Sequence, residues 1–216
     1  MKKFLSHSIL FSAILFSLIA CKTVKTVIKE PTETIIKEDP WSHLDSKQKE
    51  VQKSLAQYLK ALENLNPERI MELTYPKLFL ATSRSRFRDY LYTIISSTNL
   101  NIKSFKSKIT KINKIESFSN GIFCPVTYHS EITITFLNPD AYNDEYSIRV
   151  LQNILGDKYG RNRISTNHKD RSITIKKYEK LLAIKEQGET WKFVGYNKEY
   201  KKLYPSFLPS DILNKI

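Results

Sequence analysis

Few residues in this sequence have the chemistry of an acid, a base, a nucleophile or a metal ligand, and their spacing narrows the choice. The histidines are His7, His43, His129 and His168. Only His129 falls in a segment that reads as a strand, where Glu131, two residues on, shares its face. Such a pair can move a proton or supply half of a metal site, but on the polar face of a strand it reads first as a solvated pair. The opposite row of the same strand carries Cys124, Tyr128 and Ser130, the pocket candidates. Tyr128 and Ser130 are hydrogen-bonding groups in a partly polar pocket, or simply core. Nothing in the local sequence activates Cys124, which reads as a buried structural thiol. The chain contains no HExxH, CxxC, GxSxG, P-loop or GxGxxG pattern, which counts against the common metal, hydrolase and nucleotide-binding classes. The residues alone assign no catalytic group, no metal ligand and no cofactor.

One cysteine has a clearer assignment. Met1–Lys2–Lys3 is a short basic start, and Phe4 to Ala20 contains no Lys, Arg, Asp or Glu. That run is shorter than the ~20 apolar residues a membrane-spanning helix needs, and it fits a signal sequence. It ends in Leu18–Ile19–Ala20–Cys21, which resembles the lipobox of bacterial lipoproteins. The resemblance implies cleavage between Ala20 and Cys21, a diacylglycerol on the Cys21 sulfur and usually an acyl chain such as palmitate on its amine. Each buried methylene contributes about 0.8 kcal/mol, so several chains make a lasting anchor. It also implies a place in the cell envelope, on the outer membrane or the periplasmic face where the host has two membranes. An ordinary secretory signal with a coincidental cysteine, or an N-terminal membrane span, are the alternatives. Loss of Lys2 and Lys3 with the signal lowers the formal charge from +13 to +11 and leaves Cys124 as the only thiol not assigned to lipid, so no intrachain disulfide is expected.

These groups need elements to position them. The 216 residues suggest one domain with extensions, and 41% hydrophobic content with 12% aromatic residues is enough to build a core. Residues 1–20 are the signal. Residues 21–41, alternating Thr, Val or Ile with Lys and Glu between Pro31 and Pro40, read as a lipidated flexible tether, with an edge strand over Thr32–Lys37 as the alternative. Residues 42–216 form the domain. From Asp45 to Asn64, Val51, Leu55, Tyr58, Leu59 and Leu62 mark an amphipathic helix capped by Asp45 or Ser46. Asn66–Pro67–Glu68 starts a second helix that ends near Thr74–Tyr75, ahead of Pro76, and a third begins at Thr82 or Ser83. After Asn99 the period becomes two. The spacing predicts strands through Leu100–Phe118, Ile122–Phe136, Ile164–Thr166, Ser172–Glu186 and Thr190–Tyr196, a helix over Asn143–Tyr159, and a short terminal helix from Leu208. Helices first and strands later predict an α+β class with a mainly antiparallel sheet.

Tyr58–Leu59–Lys60–Ala61–Leu62 with Asn66–Pro67–Glu68–Arg69–Ile70, the stretch Thr74 to Phe79, and Trp191–Lys192–Phe193–Val194 resemble the NTF2-like (cystatin-like, cone-shaped) superfamily, including uncharacterised proteins of Bacteroidota. The resemblance implies N-terminal helices packed on a strongly bent sheet, a cone that can hold a ligand, and pairing through sheets into a homodimer. The helix at Asn143–Tyr159 is an insertion relative to the simplest members. Some relatives, ketosteroid isomerases and scytalone dehydratases, use Asp, Tyr or His lining the cone. The row of Ile122–Phe136 supplies no carboxylate or histidine there. The reading is therefore a non-enzymatic envelope protein that binds a small ligand, a peptide or a partner protein. An isomerase or dehydratase, and an immunity or inhibitor protein, are its alternatives.

The positive charge points the same way. Lys103, Lys106, Lys108, Lys111 and Lys114 recur through the first strand region, and Arg161, Arg163, Lys169, Arg171, Lys176, Lys177 and Lys180 crowd the later one. A membrane-held envelope protein has little access to nucleic acid. Anionic lipid or lipopolysaccharide headgroups are nearer partners, each cation contributing about 1 kcal/mol beside such a surface. A lysine-rich solubilising surface is the alternative.

Overall fold

A computed structural model of the chain describes residues 40–138, 145–197 and 201–216. Ala20, Cys21 and nearly all of the tether lie outside the described residues.

Four helices come first: α1 (Ser46–Glu63), α2 (Pro67–Leu73), α3 (Leu78–Ala81) and α4 (Arg84–Ile95). Local chemistry sets their ends. Asp45 Oδ1 accepts from Gln48 N at 2.8 Å and Gln48 Oε1 accepts from Asp45 N at 3.1 Å. This capping box satisfies two donors that the first turn leaves open. The Gln48 amide also donates to the Asn113 carbonyl at 3.1 Å, tying the start of α1 to the sheet. Asn66 caps α2 by accepting from Arg69 N at 3.0 Å, with Pro67 at the first helical position.

The sheet follows: β1 (Leu100–Ile112), β2 (Glu116–Phe118), β3 (Gly121–Phe136), β4 (Ile164–Asn167), β5 (Ser172–Glu186) and β6 (Lys192–Gly195). Its order is β1–β3–β5–β4, with β2 also on β3 and β6 also on β5, every named strand pair antiparallel. The class is α+β, as the order of elements predicts. Register shifts in β1 between Ile102 and Ser104 and between Ile109 and Lys111 mark bulges, which bend a strand and raise its twist. Between β3 and β4 lies α5 (Glu145–Tyr159), and α6 (Ser210–Leu213) closes the chain.

The long strands β3 and β5 serve three apolar clusters. On one face, Val51, Leu55, Leu59, Ile70, Phe87 and Leu91 of the helices meet Val126, Tyr128, Leu181, Ala183 and Phe193. On the other, the C-terminal segment brings Tyr204, Phe207, Leu208 and Ile212 onto Phe123, Leu182, Ile184 and Val194. That is why Leu181 to Ile184 are all buried although their side chains alternate between faces. At the far end, α5 sets Tyr159 against Phe136, Ile164, Ile173 and Ile175. No described helix is long and apolar enough to cross a membrane.

Candidate functional site

Between α1, α4 and the sheet lies an open cavity whose empty space, counted together with the solvent at its mouth, is about 550 Å³. Its walls are aliphatic, with Leu62 of α1, Ile70 of α2, Leu91 of α4, Ile102 of β1 and Ile132 of β3 among them. The half-buried Leu65, Ile94, Ile95 and Phe105 also line it. Leu65 holds φ at 49° just after α1. A residue with a Cβ costs roughly 1–2 kcal/mol in that left-handed conformation, which glycine adopts freely. A leucine standing there trades backbone strain for apolar wall.

The polar groups of this cavity are Tyr128, Lys177 and Glu179. Register explains the grouping. Tyr128 on β3 stands opposite Glu179 on β5, and Ser130 stands opposite Lys177. The inward row of β5 is Ile173, Ile175, Lys177, Glu179, Leu181 and Ala183, so a cation and an anion sit within an otherwise apolar row. Both are 4% exposed, and the Lys177 ammonium donates directly to Glu179 Oε1. Burial pushes the Lys177 amine below the usual lysine value, Glu179 pulls it back up, and nearby Lys158 lowers it a little further. Burial pushes the Tyr128 phenol well above the ordinary tyrosine value, and the Glu179 charge adds to that. Tyr58, beside Tyr128 in a neighbouring smaller cleft, is raised to about 12, again chiefly by burial, with a contribution from Glu179. Both phenols therefore stay protonated as donors.

The three pocket candidates separate. Tyr128 lines the cavity. Ser130 is fully buried in the same row, and its Oγ has no hydrogen-bond partner among the described residues. Cys124 lies four residues before Tyr128, in neither cavity, with its thiol donating to the Asn113 carbonyl at 3.0 Å. Burial raises that thiol to about 12, far from a reactive thiolate. His129 and Glu131 face outward: the His129 ring meets Tyr178 edge-on at 5.2 Å, and Glu131 pairs with Lys176 at 3.4 Å. No group of three or more His, Cys, Asp or Glu able to hold a metal exists among the described residues.

Two sequence expectations change. Lys177 is not part of the basic surface, because Lys176 and Lys180 point outward on β5 while Lys177 points in. The cavity also has the carboxylate that β3 alone could not supply, because Glu179 enters from the next strand. The signal was present in the sequence. In Ile173-x-Ile175-x-Lys177-x-Glu179-x-Leu181 two charged residues occupy a row that is otherwise apolar, and charges are seldom fully buried unless paired.

No protein-family model matches the chain, and no curated protein is similar to it. Among solved structures, a ketosteroid isomerase-like protein from Erwinia carotovora atroseptica SCRI1043 is similar with a TM-score of 0.42 at 8% identity, covering 70% of this chain and 93% of that one.

Proposed function

We propose that this domain is an NTF2-like ligand-binding module of the bacterial cell envelope, held at a membrane by lipid on Cys21. Its cavity takes a small, mainly apolar molecule whose single polar group meets Lys177, Glu179 and Tyr128. The observation that supports this most is a buried ion pair opening onto an aliphatic cavity. A buried pair contributes little net stability, because desolvation offsets its attraction, and apolar residues of similar volume serve a core at least as well. Apolar lining with a few convergent polar groups is the usual make-up of a small-molecule site. The basic outer face of β1 and β5, with Lys106, Lys108, Lys111 and Lys180 exposed, suits anionic headgroups.

Binding of an uncharged naphthylamine dye to the purified full chain tests the cavity. The expected result is a saturable gain in fluorescence that Ile95→Trp, which adds bulk to the cavity wall, removes. An equal gain in both proteins would sink the reading.

Glu179 favours a second reading, an isomerase or dehydratase. A carboxylate within an apolar cavity can take a proton from carbon, and a protonated Tyr128 beside it can donate to the oxygen that becomes negative. Turnover of a ketone substrate that Glu179→Gln abolishes, with dye binding retained, would support it over simple binding.

A further inference from the structure

We propose that Lys177 captures an apolar aldehyde as a Schiff base inside the cavity, with Glu179 as its proton carrier and counter-ion. The inference rests on the cavity reading above and adds a covalent step to it.

Three features of position carry it. Lys177 lines the cavity, so an apolar molecule lying there has its end beside an amine. Lys177 is 4% exposed, and its ammonium is held by a carboxylate that is equally buried and on the same strand face. Tyr128, directly across from Glu179, gives the site a third polar group that stays protonated. A buried lysine releases its proton more readily than one in water, which is the property that imine-forming lysines exploit. The lowered proton affinity of Lys177 agrees with that.

The chemistry balances within the pair. The ion pair passes one proton from the Lys177 ammonium to the Glu179 carboxylate, leaving a neutral amine and a neutral acid. The amine lone pair attacks the aldehyde carbon, a C–N bond forms, and the carbonyl π electrons move to oxygen. That oxygen takes a proton from the attacking nitrogen, giving a carbinolamine. Glu179 then protonates the hydroxyl, the C–O bond breaks and water leaves. The product is an iminium cation facing the Glu179 carboxylate, so the site ends with the charge arrangement it started with. An aliphatic aldehyde matches both parts of the cavity, its chain on the leucine and isoleucine walls and its carbonyl at the pair. A carboxylic acid would set a second negative charge beside Glu179, and an alkylammonium a second positive one beside Lys177.

The experiment is reductive trapping on the purified full chain. Hexanal and cyanoborohydride are added near neutral pH, the hydride fixes any imine as a secondary amine, and peptide mapping locates the adducts. Exposed Lys106, Lys108 and Lys180 serve as internal references. Each pH unit lowers the neutral fraction of an ordinary lysine about tenfold. Because Lys177 passes its proton to Glu179 rather than to solvent, its labelling is expected to exceed that of the references, the excess widening by about tenfold for each pH unit lowered. Labelling spread evenly over the exposed lysines, with Lys177 no faster, would overturn the proposal. Dye displacement by hexanal without an adduct at Lys177 also overturns the covalent step while leaving the cavity reading in place. Absence of dye binding removes the cavity reading itself.

Discussion

At the residue scale, the unusual feature is the burial of Lys177 beside Glu179. Removing one member of such a pair leaves an uncompensated charge where water cannot reach it, at a cost of about 3–5 kcal/mol, whereas replacing both with apolar residues is often neutral or stabilising. Glu179→Leu is therefore expected to lower stability by several kcal/mol, and Lys177→Met with Glu179→Leu together to recover most of it. Denaturant midpoints of the two proteins decide the matter. Similar losses in both would mean that the side chains contribute through packing rather than charge. Tyr58, Tyr75 and Tyr128 extend the argument to pH. Burial raises all three phenols, and Glu186, accepting from Tyr75 Oη at 2.8 Å, adds to the shift at Tyr75. The folded state keeps these protons while the unfolded chain loses them near pH 10. Their contribution is thus complete below about pH 10 and is lost as pH rises through the folded values. In an alkaline absorbance titration they are expected to ionise after the other tyrosines, together with unfolding. Early ionisation of all the tyrosines would contradict the burial described.

At the element scale, α1, α2 and α4 were legible because local signals mark them: Asp45 with Gln48, Asn66 with Pro67, and Ser83, whose Oγ accepts from Arg86 N, whereas the short, uncapped α3 carries no such signal. The strands were legible from their period of two. What sequence could not show was which row of β5 meets which row of β3. The register that brings Tyr128 to Glu179 is set by a strand pairing across some fifty residues, closed by the β3–β5 ladder from Gly121↔Glu186 to Thr135↔Ser172. Gly121 secures one end of that ladder. A Cβ there would lie 2.2 Å from the Lys185 carbonyl oxygen, a backbone atom that cannot rotate away. Gly121→Ala is therefore expected to lower stability by about 1–3 kcal/mol, the usual cost of overpacking. An unchanged urea midpoint would show that the ladder end is free to open.

At the scale of the whole molecule, the sheet is covered differently along its length: helices α1, α2 and α4 on one face, the C-terminal segment with part of α3 on the other, and α5 at the far end. The cavity remains where helix packing stops short of the β5 row that carries the charges. Anchoring belongs to this scale too, because a lipid on Cys21 would confine the cavity near a bilayer in which apolar molecules concentrate. Cys21→Ala is expected to move the protein from the membrane to the soluble fraction. Retention of that variant on the membrane would favour a spanning N-terminus instead.

Taken alone, the sequence determined most of the helix starts, the strand period and the α+β order. All of these depend on neighbours a few residues apart. Lys177 and Glu179 interrupt an apolar row in the sequence, yet Lys177 read there as part of the basic surface. Only the tertiary structure placed them inward, because burial is decided by what packs against a strand and by the register of its partner. Those contacts join residues that the chain keeps far apart.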